Sequence, residues 1–549
     1  MKRTALVFLL VTCLLAPSSA FAQAIKISPA ERKIADTITA AQLSNYLYFV
    51  ASDAMGGRDT PSAGLDVTAE FLKMNLQKWG FKPAGDNDTF FQKIALTRES
   101  VDPDKTTLEI AGQSFNFAED FFRVRGTGSA SGAIVFGKDG WFVKSKGIDA
   151  YSGVDVTGKV VVLSSPGFSQ QTMIPRPAGV TPDDLKGEIG VDWADPITYA
   201  RKKGAAAVIV IAPPQLQGMW GQLRNILGRA SLSVDKLRDA GSPPPAFIVS
   251  EKVGNAIFAG ESGDKTSAAA FETKKTAKLN AVFKAEHLMT QNVVAVWEGS
   301  DPALKAEMVA VGAHYDHVGL SPQTGCRPVN GDSICNGADD DGSGTVAVLA
   351  IAETLAKAAK RPKRSVLLVW HAGEEKGLWG SEYFNKFPTV DIKQVIAQLN
   401  IDMIGRSLDP NNIIKCGQDK PCNEELSKAD EIYVIGKDMM SSTLGSIVDG
   451  TNKGYLNLAY NTLYDDPKDK NRFFFRSDHF NYALNKIPIA FWFDGVHEDY
   501  HRPGDNPDKI DYAKMEKVTR TIFLTLLELT DLKTRPAVDK QLPPELTER

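Results

Sequence analysis

The spacing of apolar residues changes character along the 549-residue chain. Between about 30 and 90 it is helical. Over 67–79, Phe71, Leu72, Leu76 and Trp79 fall on one face, with Asp66 as the expected N-cap and Gly80 as the stop. From about 105 to 285, short β-rich runs at 132–136, 159–163 and 206–211 alternate with turns. Residues 200–207 read as a helix ended by Gly204 and feeding the last of these strands. Pro243-Pro244-Pro245 marks a rigid connection. No internal repeat is visible.

After about 286 the chain alternates between apolar strands and amphipathic helices. Strands are expected at 308–313, 365–370, 395–401 and 487–493. Val348, Leu349, Ala352, Leu355, Ala356 and Ala359 form one apolar helix face between the first two. Strands that are apolar at every position are buried on both sides. The pattern therefore predicts an α/β fold: a mainly parallel twisted sheet with helices on both faces, plus a β-rich inserted domain at 106–285. Residues 23–105 are read as the helical start of the main domain, and 286–535 as its larger part. The polar, turn-rich stretch 407–475 reads as a long excursion from the sheet, and 536–549 as a polar tail.

Composition narrows the function classes. Hydrophobic residues make up 43% and charged residues 24%, enough for a large core. Lys+Arg is 63 and Asp+Glu 67, a net charge of −4, which argues against a nucleic-acid binder. The first 22 residues read as a secretory signal. Lys2 and Arg3 form a basic start, 5–15 an apolar core too short to span a bilayer, and Ala20-Phe21-Ala22 a cleavage site. A lipoprotein signal through Cys13 fits poorly, because Thr12 precedes it and Leu14-Leu15 follow. The mature chain is expected to be extracytoplasmic (periplasmic or secreted), near −6 in net charge and not membrane-bound. Its four cysteines suggest disulfides, and the short loops Cys326–Cys335 and Cys416–Cys422 are the expected pairs.

Six of the seven histidines lie between His314 and His501. The four expected strands each deliver ligand-type residues just past their C-terminal ends: His314 and Asp316, Glu374-Glu375, Asp402, and Tyr500-His501. The loop after the first strand adds Asp339-Asp340-Asp341. Open α/β sheets place their sites at that edge. Two histidines and three carboxylates suit two zinc-like ions that share one carboxylate and a water, leaving another carboxylate as general base.

These motifs together (His-x-Asp, Gly-Ala-Asp-Asp-Asp-Gly-Ser-Gly, Glu-Glu, Asn-x-Asp and Asp-Tyr-His, in that order) resemble the M28 metallopeptidases, a family of co-catalytic zinc exopeptidases. The resemblance covers about 286–530, with the helical segment before 105 as its first part. It implies two Zn2+ per chain. His314 and Asp402 would hold one ion, Glu375 and His501 the other, and Asp340 would bridge them. Glu374 would be the general base, Asp316 would orient His314, and Tyr500 would polarise the scissile carbonyl. A cis peptide is implied at Asp340–Asp341. Residues 105–285 resemble the protease-associated domain that many members carry, through Gly158-Lys159-Val160-Val161-Val162 and the 204–208 run. The implied activity is peptide hydrolysis, most naturally by an aminopeptidase. A carboxypeptidase uses the same ligand set. A glutaminyl-cyclase-like single-zinc enzyme typically lacks the first histidine, which is His314 here. A receptor-like binding protein that lost its ligands is disfavoured because every ligand position is filled.

Other residues admit plainer readings. His497-Glu498-Asp499-Tyr500-His501 matches HExxH, but Gly495 and Pro503-Gly504 leave no room for the helix that motif needs. His497 is therefore read as a loop residue. Asp339 and Asp341 could cap the following helix, Asp341 the better candidate. His317 and His371 are expected beside the ligands or in solvent. Arg476-Ser477-Asp478-His479 fits either the substrate pocket or a surface turn. His287 receives no role.

Overall fold

The computed structural model describes residues 23–547 apart from 166, 170, 171, 239–243, 321–323, 412, 417–419 and 422–424. The signal segment and Cys422 of the expected Cys416–Cys422 pair lie outside the described residues. The chain forms two compact units, one built from the N-terminal segment to Ile94 together with Met289 onwards, the other spanning Ala95–Leu288.

The elements used below are α1 (Ala40–Val50), α2 (Ala63–Trp79), β1 (Phe283–Trp297, of which Met289 onwards lies in the first unit), β2 (Met308–His314), α3 (Gly344–Lys357), β3 (Ser365–His371), β4 (Val395–Ile401), β5 (Glu431–Ile435), β6 (Ala459–Asn461), β7 (Ile489–Phe493) and α4 (Tyr512–Asp531). Strands β3, β2, β4 and β7 lie side by side and parallel. Antiparallel strands flank them, with β1 against β3 and β5 against β7. The sheet is thus parallel at its centre and mixed at its margins.

Alternation along these strands divides the core. Val309, Val311, Val366, Leu368 and Trp370 pack with α1, α2, α3 and α4 on one face. Ala310, Leu367 and Val369 pack on the other, with Phe384, Phe480 and Phe491. Every residue of β2, β3 and β4 is buried, which explains why their sequences carry no polar alternation.

The expected excursion at 407–475 is corrected. It leaves the sheet but returns, because β5 pairs with β7 and β6 runs parallel to β5. Ile432, Val434 and Ile435 are fully buried, and that apolar run is too short to outweigh the polar, turn-rich sequence around it. The N-cap of α2 is also corrected. Ser62, not Asp66, accepts the Leu65 N–H at 3.2 Å, so the helix begins a turn earlier; Gly80, at φ 80°, ends it as expected. The expected Cys326–Cys335 disulfide is present.

The second unit has its own eight-stranded sheet. Its parallel centre comprises Gly128–Phe136, Val160–Ser164, Ala207–Ile211 and Ala246–Val249. Val160 and Val162 face one core and Val161 and Leu163 another, so both sheet faces are covered. The expected helix and glycine stop are seen at Pro196–Lys202 and Gly204. Among the described residues no helix is long and apolar enough to cross a membrane.

Arg58 fastens the loops above the first sheet. It is fully buried, and its guanidinium donates to the carbonyls of Val50, Tyr315, Asn336 and Gly337 at 2.7–3.0 Å. Burial pulls its pKa down, while the carboxylates of Asp316, Asp505, Asp341 and Asp340 pull it back. Arg58→Met should cost at least about 1–3 kcal/mol, since it leaves buried carbonyls without their donor. Leu368→Ala, a cavity in the same unit, should cost about 2–5 kcal/mol. Urea denaturation of both variants beside the unaltered protein checks these values. A loss near zero for Arg58→Met would show that the loops hold without it.

Candidate metal centre

The parallel strands all end at one edge, and their last residues define the site. His314 is the final residue of β2, and Asp402 follows β4 directly. Glu374 and Glu375 lie just beyond β3, and Tyr500-His501 beyond β7. Asp340 enters from the turn that precedes α3, and its peptide bond to Asp341 is cis.

Asp340 sits between two groups of side chains. On one side, His314 Nε2 is 3.4 Å from Asp340 Oδ1 and 3.6 Å from Asp402 Oδ1. On the other, His501 Nε2 is 3.3 Å from Asp340 Oδ2 and 3.0 Å from Glu375 Oε2. His317 joins this second group, with Nδ1 at 2.9 Å from Glu375 Oε1 and 3.6 Å from Asp340 Oδ2. The ligand atoms of His314, Asp340 and Asp402 lie within 4.8 Å of one another, as do those of His317, Asp340, Glu375 and His501. Glu374 stands beside the first group, its Oε2 3.9 Å from His314 Nε2.

The donors fit divalent ions. Asp340 Oδ2, Glu375 Oε1, His317 Nδ1 and His501 Nε2 are buried and have no hydrogen-bond partner among the described residues. Such atoms are costly unless something satisfies them. The charges respond to one another accordingly. Burial works against ionising Asp340, yet His317, His314 and His501 hold its carboxyl well below the usual range. Glu375 is likewise held down to about 2, against its burial, by His501 and His317. His501 is pushed up to about 10 by Glu375 and Asp340, against its burial. Imidazole and carboxylate donors converging on buried carboxylate charge are the donor set of zinc-type sites. Glu374 differs: burial, with Glu375, Asp402 and Asp478 nearby, raises its carboxyl well above the ordinary value.

The supports of these side chains revise several expectations. The carbonyl of Asp316, not its carboxylate, lies 3.1 Å from His314 Nδ1. The carboxylate is 3.7 Å away and instead accepts from Thr60 Oγ1 and from the Glu374 N–H. Asp316 therefore positions the Glu374 backbone, because a strand-end turn brings its main chain rather than its side chain to the imidazole. Asp341 accepts the Gly344 N–H at 2.8 Å at the start of α3, as expected, and also the Met403 N–H. Asp339 is not a cap. It accepts the Gly405 N–H and faces His497 Nε2 at 3.5 Å. His497 is accordingly buried rather than a surface loop residue. His371 is buried between Asp478 and the Tyr482 hydroxyl, not solvated. In Arg476–His479, Arg476 lines the pocket beside Tyr500, whereas Ser477, Asp478 and His479 are buried beneath it.

Sequence reasoning missed Arg58 and Asp505, and it named Ser477 without a role. Ser477 Oγ accepts from Asn400 next to Asp402, and Asp505 accepts the N–H groups of Asp339 and Asp340. Arg58 and Asp505 belong to no motif, and only the fold brings them to the site. His317 was placed near the ligands without a role, because it follows His314 in an irregular turn where spacing carries no directional information.

Residues 292–526 match the model of peptidase family M28. A probable leucine aminopeptidase 2 of Aspergillus oryzae is 25% identical over 427 residues, covering 72% of this chain and 71% of the relative. Leupeptin-inactivating enzyme 1 of Streptomyces exfoliatus is 32% identical over 138 residues, 25% of this chain and 27% of the relative. Among solved structures, an aminopeptidase from Aneurinibacillus sp. strain AM-1 is similar at 16% identity with a TM-score of 0.49, covering 93% of this chain and 98% of its own. The carboxylates and histidines at the sheet edge thus lie within a peptidase family M28 domain that spans residues 292–526 of the chain.

Proposed function

We propose that the chain is an exported dinuclear zinc aminopeptidase. The supporting observation is the sharing of Asp340 by two donor groups at the mouth of a pocket that Glu374 also lines. His314 and Asp402 would hold one ion, Glu375 and His501 the other, and Asp340 would bridge them. When bound, such ions supply Lewis acidity to a carbonyl and lower the pKa of a water.

The remaining work falls to side chains of the chain itself. Glu374 accepts a proton from the attacking water as its oxygen bonds to the scissile carbonyl carbon. It then returns that proton to the leaving amine nitrogen as the C–N bond breaks, giving a carboxylate and a free amine. A carboxyl whose pKa is raised by burial suits both halves of this exchange. Tyr500 donates its hydroxyl to the oxygen that gains charge. Burial, reinforced by Asp340 and Glu375, pushes its phenol well above the ordinary value and keeps the proton in place. Asp316 holds the Glu374 N–H at 3.1 Å and so fixes where the base stands.

Met403, Phe473, Phe491 and Phe493 form the apolar wall of the pocket, which favours an apolar N-terminal side chain on a peptide substrate. The carboxylates of Glu374 and Asp402 favour an ammonium group nearby. Arg476 supports a carboxypeptidase as the second reading, since it lines the same pocket. It already donates to the Tyr500 hydroxyl at 3.3 Å and lies over the Phe473 ring, which makes the aminopeptidase direction the better supported one. Residues 106–285, within the unit Ala95–Leu288, are read as a protease-associated-like domain. The signal segment, with the Cys326–Cys335 disulfide, supports an oxidising, extracytoplasmic location.

A panel of free and N-blocked peptides, with chelator and with added zinc, tests the reading. Cleavage should need an unblocked N-terminus, cease with chelator and return with zinc. Cleavage of N-blocked peptides from their C-terminal end would reverse the direction. Glu374→Gln should lower kcat by about 10²–10⁴-fold, with zinc content retained by elemental analysis. Undiminished turnover would remove Glu374 as the base.

A further inference from the structure

We infer that His317 is a direct fourth protein donor to the ion held by Glu375 and His501, so that the two ions are held unequally. The inference rests on the dinuclear reading above and adds a residue to it.

His317 lies in the turn after β2, three residues beyond His314. Its N–H donates to the Arg58 carbonyl, while the Arg58 guanidinium holds the Tyr315 carbonyl. This anchored turn carries the His317 imidazole to the side of Asp340 opposite His314. There its Nδ1 approaches Glu375 Oε1 and Asp340 Oδ2, and its ring meets that of His501 edge-on at 5.5 Å. The side chain is fully buried. Gly337, at φ 58°, makes the space, since a Cβ there would lie 2.5 Å from His317 Cγ.

A positioning role through a hydrogen bond to Glu375 would leave a different imprint. The 2.9 Å contact would be aligned as a hydrogen bond, and Nε2 would have its own acceptor. Instead neither ring nitrogen has a hydrogen-bond partner among the described residues. His314 provides the contrast, with Nδ1 secured at the Asp316 carbonyl and Nε2 left to face the carboxylates. Nitrogen and oxygen atoms that converge without hydrogen-bond alignment are arranged around a common point, as ligands are.

The two donor groups also differ in number and place. His314, Asp402 and Glu374 line the pocket, whereas His317, Glu375 and the quarter-exposed His501 stand outside it. Two imidazoles, Glu375 and the shared Asp340 complete a four-coordinate shell, the arrangement of closed zinc sites. His314, Asp402 and Asp340 provide three donors and leave a position open toward the pocket. The geometry therefore assigns retention to the His317 ion and exchange to the His314 ion.

The full mature chain, stripped by chelator and reloaded with one equivalent of zinc, tests this by X-ray absorption at the zinc edge. Two imidazoles per zinc are expected in the unaltered protein and one in His317→Asn. The dissociation constant of the tighter zinc, read by competition with a chromophoric chelator, should rise by more than about 100-fold in His317→Asn, beyond the usual effect of an outer-shell partner. One imidazole in the unaltered protein, or the same count in both proteins, overturns the assignment and leaves the dinuclear reading intact. Failure to take up zinc at two equivalents overturns both. Circular dichroism checks the variant's fold, and if it does not fold, the count in the unaltered protein decides alone.

Discussion

Everything at the active edge of the sheet depends on burying a cluster of carboxyl groups and giving each of them partners. Asp316, Asp339, Asp340, Asp341, Asp402, Asp494 and Asp505 are all nearly or fully withdrawn from solvent, with Glu374 and Glu375 beside them. An isolated carboxylate would protonate rather than ionise in such surroundings. Burial accordingly raises the carboxyls of Asp341, Asp402, Asp494 and Asp505 above their ordinary value, whereas the nearby histidines hold those of Asp340 and Glu375 below it. Arg58 serves the Asp316–Asp341 side, and Arg406 reaches Asp499, Glu498 and Asp505. Lys514, buried on α4, donates to the Arg406 carbonyl and to Ser427. Buried donor atoms left without hydrogen-bond partners among the described residues gather around Asp340, where divalent ions fit.

This constraint explains why so many polar contacts near the site run to the main chain. Asp505 holds the N–H groups of Asp339 and Asp340, Asp341 those of Gly344 and Met403, and Asp316 that of Glu374. Each carboxylate gains solvation that water would otherwise supply, and each fixes the backbone beside a candidate ligand. The same interactions thus lower the cost of burial and set the positions of His314, Asp340, Glu374 and Asp402. Preorganisation of this kind is what a hydrolytic site requires of its scaffold.

Much of the fold and the site was legible beforehand, for identifiable reasons. β2, β3 and β4 are apolar throughout because both sheet faces are covered, and this pattern survives in a single sequence. The ligand candidates were found because parallel strands deliver their following residues to one edge. β5 was missed because its short apolar run lies inside polar turns, and its place beside β7 is a pairing between residues far apart in the chain. The exchange of Asp66 for Ser62 at the start of α2 has a local cause: several residues can cap, and the extended backbone at Ser62 selects one.

The sequence by itself determined the class of fold, the edge at which the chemistry gathers and the residue types that gather there. These follow from periodicity and strand direction, which are local properties of the chain. Only the tertiary structure decided which atoms meet. It brought Arg58 beneath the loops, turned the Asp316 carboxylate toward Glu374 instead of His314, buried His497 against Asp339, and set His317 beside Glu375 and His501. Those outcomes depend on contacts between residues far apart in the chain and on where irregular turns point their side chains. No local period encodes that direction; it is fixed only when buried charges find partners across the fold.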